Sequence, residues 1–541
     1  MIVATNDFVR MTVDYNLADL FEYAVDLFPE REYLVAEGQR RTYAEMEVRA
    51  NQLAHHLAAQ GVGPGDHVGI YAYNSIEWVE ALWAIFKLRA VWININYRYV
   101  AEELEYLVGN ADLVALLHQG EFTDRVEQVR HALPMLRHTL VMDAAEYEAA
   151  LAAQSPERDF EPRSGDDHYI LYTGGTTGMP KGVVWRHEDV FYALGGGINA
   201  QTHVRVDKPT DIGDQAVVSN FQVTLFPIAP LMHGATQWAV MGQSFGGNRV
   251  VLCAKFDPAE VWHTVAAEKV NSIMITGDAM GRPLIEALET TAAGVDTSSL
   301  FALSSSAATF SSSVKDEFFE RFPNLIMIDA IGSSESGNNG MITVQAGKTA
   351  MEGGPTVTPI GGSVVLDEDR KPVEPGSGVI GKVARFGDIP IGYYKDPVKT
   401  AEVFFEIDGV RHVMPGDFAK IESDGSITLL GRGSVSINSG GEKIHPEEVE
   451  SACKSHPAVW DATVVGVPDE RWGQTVAAVV ALREGSELTL EDLQTHCRTK
   501  IAGYKLPRQL TVVDEIVRSP SGKPDYRWAS GVATESSTAS S

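Results

Sequence analysis

A chain of 541 residues is too long to close around one core, so two or more domains are expected. With 44% apolar and 22% charged residues the composition is that of an ordinary globular protein, and the net charge of −29 excludes a nucleic-acid surface, which needs clustered Lys and Arg. Any bound polyphosphate must then be held by local donors rather than by the overall field. Apolar residues at helical spacing predict a helix within residues 15–29, and Thr42-Tyr43 with Glu45 opens a second. A glycine-rich turn at 61–66 precedes an apolar strand over 67–73, a helix over 76–88 and a strand over 91–95. The run Tyr169–Tyr172 is a short strand, and it feeds Thr173-Gly-Gly-Thr-Thr-Gly-Met-Pro-Lys-Gly182.

Strand and helix alternate again at 249–253, 256–268, 272–276 and 282–289, which argues for an α/β sheet with crossover connections. A buried strand over 325–329 delivers the segment Gly332–Glu335 at its carboxyl end, where open α/β sheets bind their ligands. Residues 360–430, rich in Gly, Val and Pro, read as a β-rich subdomain. Composition changes around 431–441, so the division expected is a large domain over 1–431, a hinge at 432–434 and a small α+β domain over 435–528. That small domain should hold helices at 446–455 and 489–500 with strands at 462–467, 475–482 and 509–513. The Ser/Thr/Ala-rich tail, 529–541, lacks an apolar pattern and is expected to be disordered. No run of about 18 apolar residues is present, and no secretory leader is expected. Cys253, Cys453 and Cys497 are scattered without metal spacing. A cytoplasmic protein in a reducing compartment is the expectation.

The glycine-rich run is the most informative stretch. Gly174, Gly175, Gly178 and Gly182 let backbone N–H groups approach a ligand closely, while Thr173, Thr176, Thr177 and Lys181 add hydroxyl donors and a cation. No Walker A spacing can be laid over it, and the plain alternative is a Gly/Thr turn. Residues 173–182 resemble the nucleotide-phosphate loop of the adenylate-forming superfamily of acyl-CoA synthetases, luciferases and adenylation domains. Gly332-Ser333-Ser334-Glu335 resembles that family's Tyr-Gly-x-Thr-Glu, Met414-Pro-Gly-Asp417 its Thr-Gly-Asp, and Leu430-Gly431-Arg432 the start of its hinge. Ser519-Pro-Ser-Gly-Lys523 resembles its C-terminal Pro-x-x-x-Gly-Lys, so five motifs stand in family order over about 350 residues.

The resemblance implies ATP, Mg²⁺ and coenzyme A as cofactors and a small-molecule acid as substrate. Lys523, cationic at neutral pH, would stabilise the charge that develops as a carboxylate attacks the α-phosphate. Asp417 would accept the ribose hydroxyls with Arg432 beside it, and Ser305, Ser306 and Ala307 would lie by the adenine. Glu335 and Thr176 would serve catalysis and Mg²⁺, with the Ser334 hydroxyl near them. Gly440 and Gly441 would reach the site after rotation about Ser434, and His233 and Gly196 would line the acyl pocket. The chain departs from the family pattern at Ile331, which replaces the aromatic before Gly332, at Ser334, which replaces Thr, at Ser434, which replaces the usual hinge Asp or Lys, and in the run 304–308, an altered form of the family's Gly-Gly-Ala segment. From the residue alone, His233 reads equally well as a packed core histidine.

Residues 229–236 contain no acid, so the ammonium of an amino-acid substrate would be buried unpaired there, which is costly. The apolar, glycine-interrupted stretches 191–197 and 237–242 suit a bulky or long apolar acid, or else ordinary helix packing. The combination of residues 181–186, 277–279, 332–337 and 431–435 resembles actinobacterial acyl-CoA synthetases for long-chain or steroid side-chain acids. An acyl-AMP ligase delivering to a carrier protein and a luciferase-like oxygenase share the same motifs, and a homodimer is left open.

Overall fold

The computed structural model describes residues 14–175, 178–194, 197, 204–308, 310–347, 355–432, 435–439, 442–469, 473–519 and 522–539. The chain groups into two compact units: Met1–Pro227 with Leu231–Lys255 and Asp388–Ala401, and Ile228–Pro230 with Phe256–Gly387 and Glu402–Ser541.

The first unit is built on a sheet in the order Gly392–Tyr393, Gly178–Arg186, His168–Gly175, Val91–Asn94, His67–Tyr71, Leu113–His118, His138–Val141. Strand His67–Tyr71 runs parallel to both of its neighbours, and the chain leaves it first to one side and then to the other. Such a reversal of strand order opens a crevice at the carboxyl ends. Four further strands pair as Thr224–Pro227, Arg249–Leu252, Glu32–Ala36 and Gln39–Thr42. Helix Tyr43–Ala59 begins where the sequence indicates: the Thr42 hydroxyl accepts from the Glu45 N–H at 3.1 Å, and the Glu45 carboxylate accepts from the Thr42 N–H at 2.8 Å.

Helices Leu17–Leu27, Tyr43–Ala59 and Ile76–Lys87 also bury charges that the sequence presents as surface residues. Lys87 is fully enclosed, donating to both Glu47 oxygens at 2.9 Å and to Glu22. Burial alone would raise the Glu22 carboxyl, but Lys87, Arg163 and Arg158 outweigh it and hold it below its ordinary range.

His187 is buried neutral in the same unit. The Leu17 N–H donates to its Nδ1 at 3.3 Å, so the ring proton sits on Nε2. Burial pushes its pKa from 6.5 down to about 4. The unfolded chain takes up this proton below pH 6.5 and the folded chain only below about 4, so the contribution of His187 to stability is whole above 6.5 and lost between these values. The loss is on the order of 3 kcal/mol. His187→Asn, whose amide oxygen can replace Nδ1, is expected to flatten the fall in melting temperature between pH 7 and 4.5. An unchanged profile would rule out this histidine as its source.

In the second unit, strands Ser272–Ile275, Ala302–Ser305 and Ile326–Ser333 are parallel. The sheet then continues antiparallel through Gly337–Val344, Thr356–Pro359, Ile427–Arg432, Asp417–Ile421 and Gly381–Phe386, as the β-rich subdomain requires. Residues after 434 form a separate five-stranded sheet with helices Pro446–Lys454 and Leu490–Cys497. Its two cores, around Val464 and Val480 and around Val479 and Ala533, draw only on residues of this segment.

The expectation of a disordered tail is corrected. Residues Tyr526–Ala539 form a helix, with Ala529 and Ala533 fully buried and the Ala533 carbonyl accepting from Gln509 Nε2 at 2.6 Å. The small side chains that look like a linker composition are what let this helix lie close on the sheet.

Candidate active site

Within the first unit, the described residues of the glycine-rich run lie on two paired antiparallel strands. Thr173 faces Lys181, Gly175 faces Gly178, and Gly174 lies in the same strand. Thr176, Thr177 and Gly196 lie outside the described residues. Lys181 pairs with Asp396, 215 positions away in sequence. The Lys181 hydrogen bond, supported by the Lys399 N–H, lowers the Asp396 carboxyl below its ordinary value.

Asn94, at the carboxyl end of its strand, ties the loop to the candidate acyl segment. Its amide accepts from the Tyr172 N–H at 2.6 Å and donates to the Tyr172 carbonyl at 2.8 Å and the Met232 carbonyl at 2.9 Å. The next residue, His233, is half-buried and caps helix Gly234–Phe245. The segment is held further by Asn74, which accepts from the Leu231 N–H at 2.6 Å, and by Gln237, which donates to the Leu231 carbonyl at 2.7 Å. Sequence reasoning missed Asn94. The available signal was a polar residue closing an apolar strand at the end where ligands bind.

Within the second unit, Ser334 and Glu335 occupy a three-residue turn between two strands, in which Ser333 faces Gly337. The turn is tied by Ser333 Oγ to Ser336 Oγ at 2.9 Å and by Asn339 Nδ2 to Ser336 Oγ at 2.8 Å. A Cβ on Gly332 would run into the Gly337 carbonyl, which explains the glycine. Ser305 is buried and accepts from the Gly277 N–H at 3.1 Å. Ala307 adopts φ +67, a left-handed value that costs an alanine about 1–2 kcal/mol, beside the Ser306 carbonyl that accepts from the Ala308 N–H at 2.8 Å.

Asp417 and Arg432, fifteen positions apart, face each other directly on neighbouring strands. Lys523 projects from a tight turn: the Ser519 N–H donates to its carbonyl at 2.8 Å and its own N–H donates to Ser519 Oγ at 3.2 Å. That turn lies on the body of the unit. A Cβ on Gly522, at φ +74, would stand 3.0 Å from the Thr276 carbonyl and 3.1 Å from its hydroxyl, with Ala308 at 3.5 Å. Buried here, the Thr276 and Ser306 hydroxyls have no hydrogen-bond partner among the described residues. Orphaned donors at strand ends, beside a lysine-bearing turn, fit a polar ligand. Ser434, Gly440 and Gly441 lie outside the described residues. Among the described residues no group of three or more His, Cys, Asp or Glu is placed to hold a metal, and no helix is long and apolar enough to cross a membrane.

The chain belongs to the AMP-binding enzyme family: residues 21–385 match its main model and residues 448–523 match the model of its C-terminal domain. It is 54% identical over 529 residues to a 3-oxocholest-4-en-26-oate–CoA ligase of Rhodococcus rhodochrous, covering 95% of both chains. It is 51% identical to a medium/long-chain-fatty-acid–CoA/3-oxocholest-4-en-26-oate–CoA ligase of Mycolicibacterium smegmatis, covering 96% of this chain and 97% of that one. Its fold matches an anthranilate CoA ligase in complex with anthranoyl-AMP at a TM-score of 0.83, with 22% identity over 97% of this chain and 99% of that one.

Proposed function

We propose that this protein is an ATP-dependent acyl-CoA synthetase for a long-chain or bulky steroid-like carboxylic acid. In the first half-reaction a carboxylate oxygen attacks the α-phosphorus of ATP, the bond to pyrophosphate breaks, and acyl-AMP forms. In the second, the sulfur of coenzyme A attacks the acyl carbon and AMP leaves. The observation that carries the reading is the seat of the Lys523 turn against Thr276 and Ala308, beside orphaned hydroxyls at strand ends. An ammonium held there can meet charge as it develops on the α-phosphate, as oxyanion donors do.

The hairpin around Thr173 and Lys181 would cradle the outer phosphates, and Ser305–Ala307 the base. Ser334 and Glu335 offer hard oxygen donors that suit Mg²⁺, which would neutralise phosphate charge when bound. Thr176 would join that set, and Gly440, Gly441 and Ser434 would serve the second half-reaction. The substrates named for the two actinobacterial relatives support a long or bulky acid. Pyrophosphate release against fatty, aromatic and steroid acids, with and without coenzyme A, tests the reading. Pyrophosphate without a coenzyme A thioester would favour an acyl-AMP ligase serving a carrier protein instead.

Asp417 and Arg432 are register partners at the ends of paired strands, and the ribose is assigned to Asp417. Asp417→Ala is expected to raise the KM for ATP about tenfold, since a donor left unpaired costs about 1–3 kcal/mol. With a deoxyribose analogue of ATP, parent and variant should differ little. Equal losses for ATP and the analogue would remove Asp417 from the ribose site.

A further inference from the structure

In the second unit a closed circuit of contacts runs beneath the Lys523 turn. Arg518 binds Asp461 through two hydrogen bonds, at 2.8 and 2.7 Å, and donates to the Gly522 carbonyl at 2.7 Å. Asp461 lies 3.5 Å from Lys454 Nζ, and Lys454 lies 3.7 Å from Asp278 Oδ2. Asp278 stands two residues beyond Thr276, against which Gly522 packs. Lys454, Asp461 and Arg518 belong to the segment with its own sheet and cores, whereas Thr276 and Asp278 belong to the body. The Asp278–Lys454 pair and the Thr276–Gly522 contact of this circuit cross between them, as does the Arg483–Glu317 ion pair at 3.4 Å outside it.

We propose that Asp278 and Lys454 are positioning residues that form a releasable latch, holding the segment after residue 434 where it presents Lys523 for acyl-AMP formation. The proposal rests on the reading of Lys523 given above.

The geometry suits release as well as closure. Asp278 and Lys454 are 4% and 3% exposed, so their attraction is little screened by water. Yet Asp278 Oδ2 makes no hydrogen bond among the described residues, and at 3.7 Å the pair is held by charge alone. When it opens, Lys454 keeps Asp461. Asp278 keeps the Ser311 N–H at 2.8 Å and the first turn of helix Asp278–Glu289, where a carboxylate is favoured. On the moving side, burial would raise the Asp461 carboxyl, but Lys454 and Arg518 outweigh it and keep it ionised. The Lys454–Asp461–Arg518–Gly522 chain therefore travels intact with the turn it supports.

The test measures both half-reactions on the same preparation of the full chain, so the folded fraction cancels in their ratio. Asp278→Asn keeps the Ser311 bond and removes the charge. It is expected to lower kcat for acyl-AMP formation about tenfold, within the range of coupling between two arrangements. Its KM for ATP should hold within about twofold, and conversion of synthesised acyl-AMP to acyl-CoA should be unchanged or faster. Lys454→Met should do the same, and Lys454→Arg should recover most of the loss. Equal losses in both half-reactions, or none in either, would overturn the latch. A Lys523→Ala control that adenylates normally would instead sink the underlying assignment of Lys523.

Discussion

Lys523→Ala is expected to slow acyl-AMP formation at least ~100-fold, the scale on which losing one positioned charge-stabilising donor acts. Conversion of synthesised acyl-AMP to acyl-CoA should persist, because the rotation about Ser434 proposed for the second half-reaction carries Lys523 out of reach of the α-phosphate. The turn should survive the substitution: its ties run through the Lys523 carbonyl and N–H and through Arg518 to the Gly522 carbonyl, none of which uses the ammonium. The loss would therefore report charge rather than misfolding. Lys523→Arg, which keeps the charge in a broader planar group, should restore only part of the rate. A variant that adenylates normally, or that fails equally in both half-reactions, would remove Lys523 from this role.

How much of this could be read beforehand depends on whether the signal is local. The strand before Thr173, the box that starts helix Tyr43–Ala59 and the Lys523 turn are all written in neighbouring residues, and each lies where the sequence puts it. Asp417 and Arg432 were legible as motifs, but their facing register depends on a hairpin that neither motif encodes. Contacts across long separations left no trace. Lys181 reads as a cation for phosphate until Asp396 appears beside it, and nothing in the neighbouring residues marks Glu22, Glu47 and Lys87 as partners. The tail misled for a related reason: Ala529 and Ala533 carry too little hydrophobicity to mark a helix, yet small size is what their seat on the sheet demands.

The substrate should be discriminated by apolar bulk, and the effect is expected to be large. Burying one methylene contributes about 0.8 kcal/mol, close to fourfold in binding, so an acid that buries about six more than acetate should gain roughly three orders of magnitude in kcat/KM. Free amino acids should be inert, since residues 229–236 offer no carboxylate to an ammonium and an unpaired buried charge is expensive. The segment proposed for the pocket end is held stiffly: Asn74, Asn94 and Gln237 all bind the backbone of Leu231 and Met232, just before His233. A fixed end and an apolar remainder would select by length and shape. Gly197 is already packed against the Tyr192 and Phe191 rings, so the neighbouring Gly196 is the better position to probe. Gly196→Trp should depress kcat/KM for the bulkiest acids while sparing short ones. Uniform loss across the series would take Gly196 out of the pocket, and a parent enzyme that prefers acetate or an amino acid would overturn the substrate class while leaving the adenylation chemistry standing.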